Sequence, residues 1–170
     1  MIKARVDRKE GHLPPGKEKI RLSWIYGAPV LDYSIYDWLE QEYGAVSIGQ
    51  MNNEFVMGPV ENISDLDHIV EGLAKKLINL PMIRECGGPW ENYLEASIEL
   101  CRHYKVDAAI FAGNVACKAS WAVAKLAKDK IQERLGIPTL NLEIDLFDPR
   151  QTHMEKIKEQ FDTFFRVFLK

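Results

Sequence analysis

Only three cysteines occur, Cys86, Cys101 and Cys117, and they are widely spaced. That excludes a disulfide framework and points to a reducing, cytoplasmic setting. No C-x-x-C pair is present, so thioredoxin-like redox chemistry is excluded too. No apolar run approaches the ~20 residues needed to cross a bilayer, and the charged start lacks the apolar core of a signal peptide. Neither sign of charge is in strong excess: 22 Lys and Arg against 25 Asp and Glu leave a net charge of −3. Nothing therefore proposes nucleic acid or an anionic membrane as a partner. Lys17-Glu18-Lys19 and the stretch from Lys125 to Arg134 interleave both signs, as solvated faces do. The phosphate-binding signatures are missing as well. No G-x-G-x-x-G follows the first strand, and there is no P-loop and no G-x-S-x-G elbow. Gly27-Ala28-Pro29-Val30 offers few hydroxyls to a flavin phosphate. His12, His68, His103 and His153 are scattered without metal-ligand spacing.

What is present fits one soluble domain: 170 residues, 46% hydrophobic and 28% charged. Residues 1–19, polar and broken by Pro14-Pro15-Gly16, read as an arm or linker. Residues 20–170 read as one α/β domain, expected to be the C-terminal part of a longer subunit. Strand signals fall at Ile20–Tyr26, Ala45–Ile48, Val106–Phe111 and Ile137–Ile144. Ser34 is the expected cap of a helix ending at Tyr43, with Gly44 as its stop. Ser64 is the expected cap of a second helix, whose stripe is Leu66, Ile69, Val70, Leu73, Leu77 and Leu80. A third starts at Pro89 and puts Trp90, Tyr93, Leu94, Ser97, Cys101 and Tyr104 on one face, which makes Cys101 structural. A fourth follows Cys117 and stops at Gly136. The last carries Met154, Ile157, Phe161, Phe164 and Phe168, a row that reads as core or a subunit interface. Alternating strands and helices predict a small four-stranded parallel sheet with helices on both faces, flavodoxin-like or Rossmann-like. The loops Gly27–Tyr33, Gly49–Ser64, Gly113–Lys118 and Asp145–Arg150 would then share one edge.

The chemistry concentrates at Cys117. It follows an apolar strand and the Gly113-Asn114 break, and it precedes a helix. Ligands in open α/β sheets sit at that address, and exposed N–H groups with a positive helix end favour thiolate over thiol. The competing reading is a small residue packed beneath the helix. Cys86 lies in a loop before a helix.

Several motifs, taken in order, resemble the C-terminal domain of the 2-hydroxyacyl-CoA dehydratase family, which includes benzoyl-CoA reductase subunits. They are Arg21-Leu22 with Gly27 and Pro29, then Gly87 to Asn92 (GGPWEN), then Lys105 to Ile110 (KVDAAI) followed by Cys117-Lys118. Gly136 to Leu140 (GIPTL) and Asp145 with Asp148-Pro149-Arg150 complete the set, which covers about residues 17–168.

That resemblance implies an oxygen-sensitive iron–sulfur cluster, typically [4Fe–4S], in each of two related subunits, held by three cysteines, two from upstream domains and one from the C-terminal domain, which Cys117 matches. It implies a lyase, acting on an acyl-CoA by ketyl-radical dehydration, or a related aryl-CoA reductase. The implied partners are a paired homologous subunit and an ATP-dependent one-electron activator protein. Lys118 would offset cluster or CoA-phosphate charge. Asn114 is either a substrate-facing or supporting group, or a loop residue tolerating an unusual backbone angle. Cys86 and Cys101 do not match the family's ligand positions, so the chain alone is expected to bind no cluster and to be inactive. The alternative is a non-catalytic flavodoxin-like module docking a partner through Trp24, Trp38 or the terminal phenylalanines. A free-standing flavin or nucleotide carrier is a third possibility.

Overall fold

The computed structural model describes residues 18–29, 32–53, 58–84 and 87–168. The expected arm, most of which is residues 1–17, lies outside the described residues, as does Cys86.

Strand β1 (Ile20–Trp24) leads to helix α1 (Ser34–Tyr43) and strand β2 (Ala45–Gln50), followed by a 3-10 turn at Met51–Asn53. Helix α2 (Leu66–Ile78), the one-turn α3 (Pro81–Arg84) and α4 (Trp90–His103) come next. Strand β3 (Ala108–Asn114), helix α5 (Lys118–Leu135), strand β4 (Thr139–Ile144) and helix α6 (Met154–Phe168) complete the chain. The sheet order is β2-β1-β3-β4, with every neighbouring pair parallel. This is the α/β architecture expected, and the order reverses between β1 and β3, the switch point at which such sheets place their sites.

The central strands are buried on both faces because their side chains alternate between two cores. Leu22, Trp24, Ala108, Ile110 and Ala112 face α1 and α6, meeting Ile35, Leu39, Ile157 and Phe161. Ala109 and Phe111 face α4 and α5, meeting Leu94, Ile98, Ala124 and Ile131. Cys101 belongs to this second core at 1% exposure, as its helical stripe indicated. Beneath it runs the only fully buried charged side chain described, Arg21, whose Nε donates to Glu18 at 2.5 Å and whose guanidinium also donates to the Tyr104 carbonyl. Its backbone N–H donates to Asp107 at 2.8 Å.

Several boundaries differ from the sequence expectation. Ser34 is the first helical residue rather than the cap: Tyr33 precedes α1 without a side-chain cap bond, and Asp32 accepts from the Ser34 N–H. Asp65, not Ser64, caps α2, accepting from the His68 N–H at 3.0 Å. Strand β3 starts and ends later than its apolar run. Lys105 takes a left-handed turn at φ 53, and the Val106 N–H closes helix α4 on the Cys101 carbonyl. Gly113 and Asn114, read as a break, continue the ladder opposite Glu143 and Ile144. Gly44 and Gly136 stop α1 and α5 in left-handed conformation, as expected.

Two packing expectations change. The stripe of α2 is not core: no residue of that helix is buried, and Leu66, Val70, Leu73 and Leu77 are each at least 55% exposed. Of the docking face proposed through Trp24, Trp38 or the terminal phenylalanines, Trp24 is interior and Trp38 is partly buried, while the phenylalanine row is core, one of the two readings its spacing allowed. Trp24, Phe161, Phe164 and Phe165 are buried, leaving Phe168 as the exposed end of the row.

Candidate functional site

Parallel pairing delivers the ends of all four strands to one edge, and there the loop after β1 meets the turn after β3. The chain turns back over β3 at Gly27, whose N–H donates to the Ala112 carbonyl at 3.1 Å. A Cβ at Gly27 would lie 2.6 Å from that oxygen, so only glycine permits the approach. This crossing carries Tyr26 across the end of β3, stacked on Phe111 at 5.5 Å with an interplanar angle of 13°. Asn52 donates to the Tyr26 carbonyl at 3.1 Å, and Tyr93 donates to the Ile25 carbonyl at 2.8 Å, so both sides of the loop are tied down.

The turn after β3 is built by Asn114. Its side-chain oxygen accepts from the Ala116 N–H at 3.1 Å, and its carbonyl accepts from the Cys117 N–H at 2.9 Å and the Trp121 indole at 3.0 Å. The Trp121 ring lies over Gly113, where an added Cβ would meet it at 2.7 Å. Asn114 ends β3 and does not take the unusual backbone angle that one reading of it expected: the positive-φ non-glycine residue among those described is Lys105.

Cys117 then sits at the N-cap of α5, half-buried, with extended backbone. It is not sealed beneath the helix. Its Sγ lies 3.2 Å from the Tyr26 hydroxyl. That hydrogen bond, with further donors from Ser120 and the Ala119 backbone at the helix start, holds the thiol below its ordinary value. Ser120 is buried and also donates its hydroxyl to the Cys117 carbonyl at 2.9 Å. Lys118, the first residue of α5, is exposed beside this point. Cys101 is the opposite case: burial alone pushes its thiol up to about 12.

A cavity of about 190 Å³ is lined by Tyr26, whose hydroxyl meets the sulfur, and by Gly88, Trp90, Tyr93, Ala119, Ser120 and Val123. The start of α4 and the start of α5 thus frame one aromatic-walled recess. Tyr26, Ser120 and Trp90 were not picked out as site residues from the sequence. Tyr26 is 91 positions from Cys117, and only the adjacency of β1 and β3 unites them. The available signal was the placing of Tyr26 at a strand's carboxyl end.

Asp145 and the Asp148-Pro149-Arg150 loop form a separate, self-satisfied turn. Asp145 accepts from the N–H groups of Phe147 and Asp148, and Arg150 pairs with Asp148 at 2.8 Å. His68 bonds Asp65 at the surface, and His103 is exposed against Tyr104. Among the described residues no three His, Cys, Asp or Glu side chains converge as a metal-holding group. Of the two described cysteines, Cys117 is the partly exposed one and Cys101 is buried. No helix of the described residues is long and apolar enough to cross a membrane.

The family model described as 2-hydroxyglutaryl-CoA dehydratase, D-component, matches residues 1–168. No curated protein matches the chain.

Proposed function

The chain belongs to the 2-hydroxyglutaryl-CoA dehydratase D-component family, and from that premise we propose that it contributes Cys117 as one thiolate ligand of a [4Fe–4S] cluster. The cluster serves radical dehydration, or reduction, of an acyl-CoA thioester. Its chemistry is the delivery of single electrons at low potential. One observation carries the reading: the half-buried Cys117 lies at the carboxyl edge of the sheet, its sulfur 3.2 Å from the Tyr26 hydroxyl.

In this reading each residue has a local task. Tyr26, Ser120 and the first amides of α5 direct donors at the sulfur and stabilise its anionic form, which a metal-bound thiolate requires. Asn114 shapes the turn that presents it. Lys118 places a positive charge where cluster or CoA-phosphate charge collects. The recess lined by Trp90, Tyr93 and Val123 takes the apolar part of the acyl group. The other two ligands are those that the family resemblance assigns to domains upstream of this one, and an ATP-dependent activator protein supplies the electron. The site is cytoplasmic and oxygen-sensitive.

The test is anaerobic purification of the chain in its cellular complex, with iron analysis and visible absorption. Wild type is expected to carry iron and a brown chromophore, and Cys117→Ala to lose both while keeping its circular dichroism. Iron and absorption unchanged in Cys117→Ala overturn the assignment. A colourless, iron-free complex with intact Cys117 does so too, and returns the chain to the non-catalytic reading.

A further inference from the structure

The recess between the starts of α4 and α5 carries no charge. Among the described residues its walls are Tyr26, Trp90, Tyr93, Val123 and three small residues at the two helix starts. Glu91 and Lys118 adjoin these residues in the chain, yet neither lines the recess.

Each hydroxyl in the wall is already bonded within the chain. Tyr93 donates to the Ile25 carbonyl at 2.8 Å, Ser120 donates to the Cys117 carbonyl at 2.9 Å, and Tyr26 meets the Cys117 sulfur at 3.2 Å. The amides of Ala119 and Ser120 are directed at the same sulfur. The Trp90 indole is the one other side-chain donor, and its ring is 43% exposed, so it belongs to the rim. Glu91 stands in the first turn of α4 and offsets the positive end of that helix. A carboxylate entering the recess would therefore shed its water without meeting a cation or an uncommitted hydroxyl, which is costly. An uncharged chain meets no such penalty and gains from the apolar wall. The volume sets the bulk: about 190 Å³ exceeds the ~150 Å³ of an apolar cavity that holds a benzene ring.

We propose that this recess selects acyl-CoA substrates whose acyl end is uncharged, a branched aliphatic chain or a single aryl ring, with Trp90 and Val123 setting the specificity. Trp90 forms the rim, and Val123 lies one turn beyond Ala119 on the same face of α5. The substrate in the family's description, 2-hydroxyglutaryl-CoA, ends instead in a second carboxylate. The recess disfavours that group by leaving it unpaired. The inference rests on reading the Cys117 edge as an acyl-CoA site, and it adds which acyl group the site accepts.

The test uses the whole chain, free of metal, at pH 7. The probes are N-acetylcysteamine thioesters at millimolar concentration: 4-methylpentanoyl, benzoyl, glutaryl, and glutaryl capped as its methyl ester. Binding is read from the Trp90 indole N–H by NMR. The three uncharged probes are expected to shift this signal saturably, and the glutaryl probe to bind more weakly by about tenfold or more. Val123→Arg, which sets a cation in the wall, is expected to raise glutaryl binding to at least that of the benzoyl probe. Val123→Phe, which fills the recess, is expected to abolish binding of every probe, with circular dichroism showing that it folds as wild type does. Glutaryl bound as tightly as its methyl ester overturns the specificity while the acyl site stands. No shift with any uncharged probe, or Val123→Phe binding them unchanged, overturns the recess as the acyl site and the proposal with it. An iron-free complex, by contrast, removes the cluster and leaves these titrations as they are.

Discussion

At the level of single residues, the two described cysteines separate by environment. Cys117 has donors and a helix start around its sulfur; Cys101 has hydrocarbon. In metal-free protein the alkylation rate of Cys117 should therefore reach half its maximum below the ordinary thiol value of ~8.5, and Tyr26→Phe should move that midpoint upward. Iodoacetamide rates against pH, read by mass spectrometry, check this; identical midpoints in the two proteins would remove the Tyr26 contribution. Cys101 should stay unlabelled until the protein unfolds. Its raised value also predicts a pH effect on stability. Folded Cys101 remains protonated up to about 12, whereas the unfolded thiol ionises from ~8.5. Its contribution is complete below the unfolded value and falls as pH rises, by about 1.4 kcal/mol per pH unit between the two values. Urea unfolding at pH 8 to 10 should show that slope in wild type and a shallower one in Cys101→Ala. The surroundings of each of these two cysteines were legible in the chain because one lay at a strand-to-helix handover and the other on an apolar helix face. The hydroxyl that acts on Cys117 was not, because nothing local to either residue records a contact made across two strands.

At the level of elements, periodicity reported an apolar face correctly but not what covers it. Helix α2 and helix α6 both carry well-formed stripes. The α6 stripe is packed into the sheet, with Ile157, Phe161, Phe164 and Phe165 buried; the α2 stripe is left open. The difference arises from connection geometry. α6 follows an adjacent strand and folds back across it, whereas α2 lies between the β2 loop and α3, with its few contacts on those neighbours. Caps followed the same pattern. Ser34 and Ser64 were one residue from the true boundaries: Asp32 accepts from the Ser34 N–H ahead of α1, and Asp65 caps α2 by accepting from the His68 N–H. The stripes predict contrasting mutants. Phe161→Ala should cost about 3–5 kcal/mol through lost burial and a cavity. Leu73→Ser should change stability by less than about 0.5 kcal/mol, because that side chain already faces water. Paired denaturant titrations measure both, and a large loss at Leu73 would mean that α2 is covered in solution.

For the whole molecule, the alternation of strands and helices was enough to give a parallel sheet, because right-handed crossovers leave few other arrangements. The strand order, and with it the meeting of Tyr26 and Cys117, required long-range pairing that no single segment encodes. That architecture predicts how stability is distributed. β1 and β3 are interior to the sheet and between two cores, with Leu22, Ala109, Ile110, Phe111 and Ala112 fully shielded. Their amides open only when the cores separate, so they should exchange at the rate of global unfolding. Helix α2 contributes no buried residue, so its opening exposes little new apolar surface and needs only its own hydrogen bonds to break. Native-state hydrogen exchange should accordingly place Ala109 to Ala112 at the full unfolding free energy and the amides from Val70 to Leu77 several kcal/mol lower, released without denaturant dependence. Uniform protection of α2 and β3 would contradict this, since a helix that unfolds only with the core must be held by contacts that its exposed face does not make.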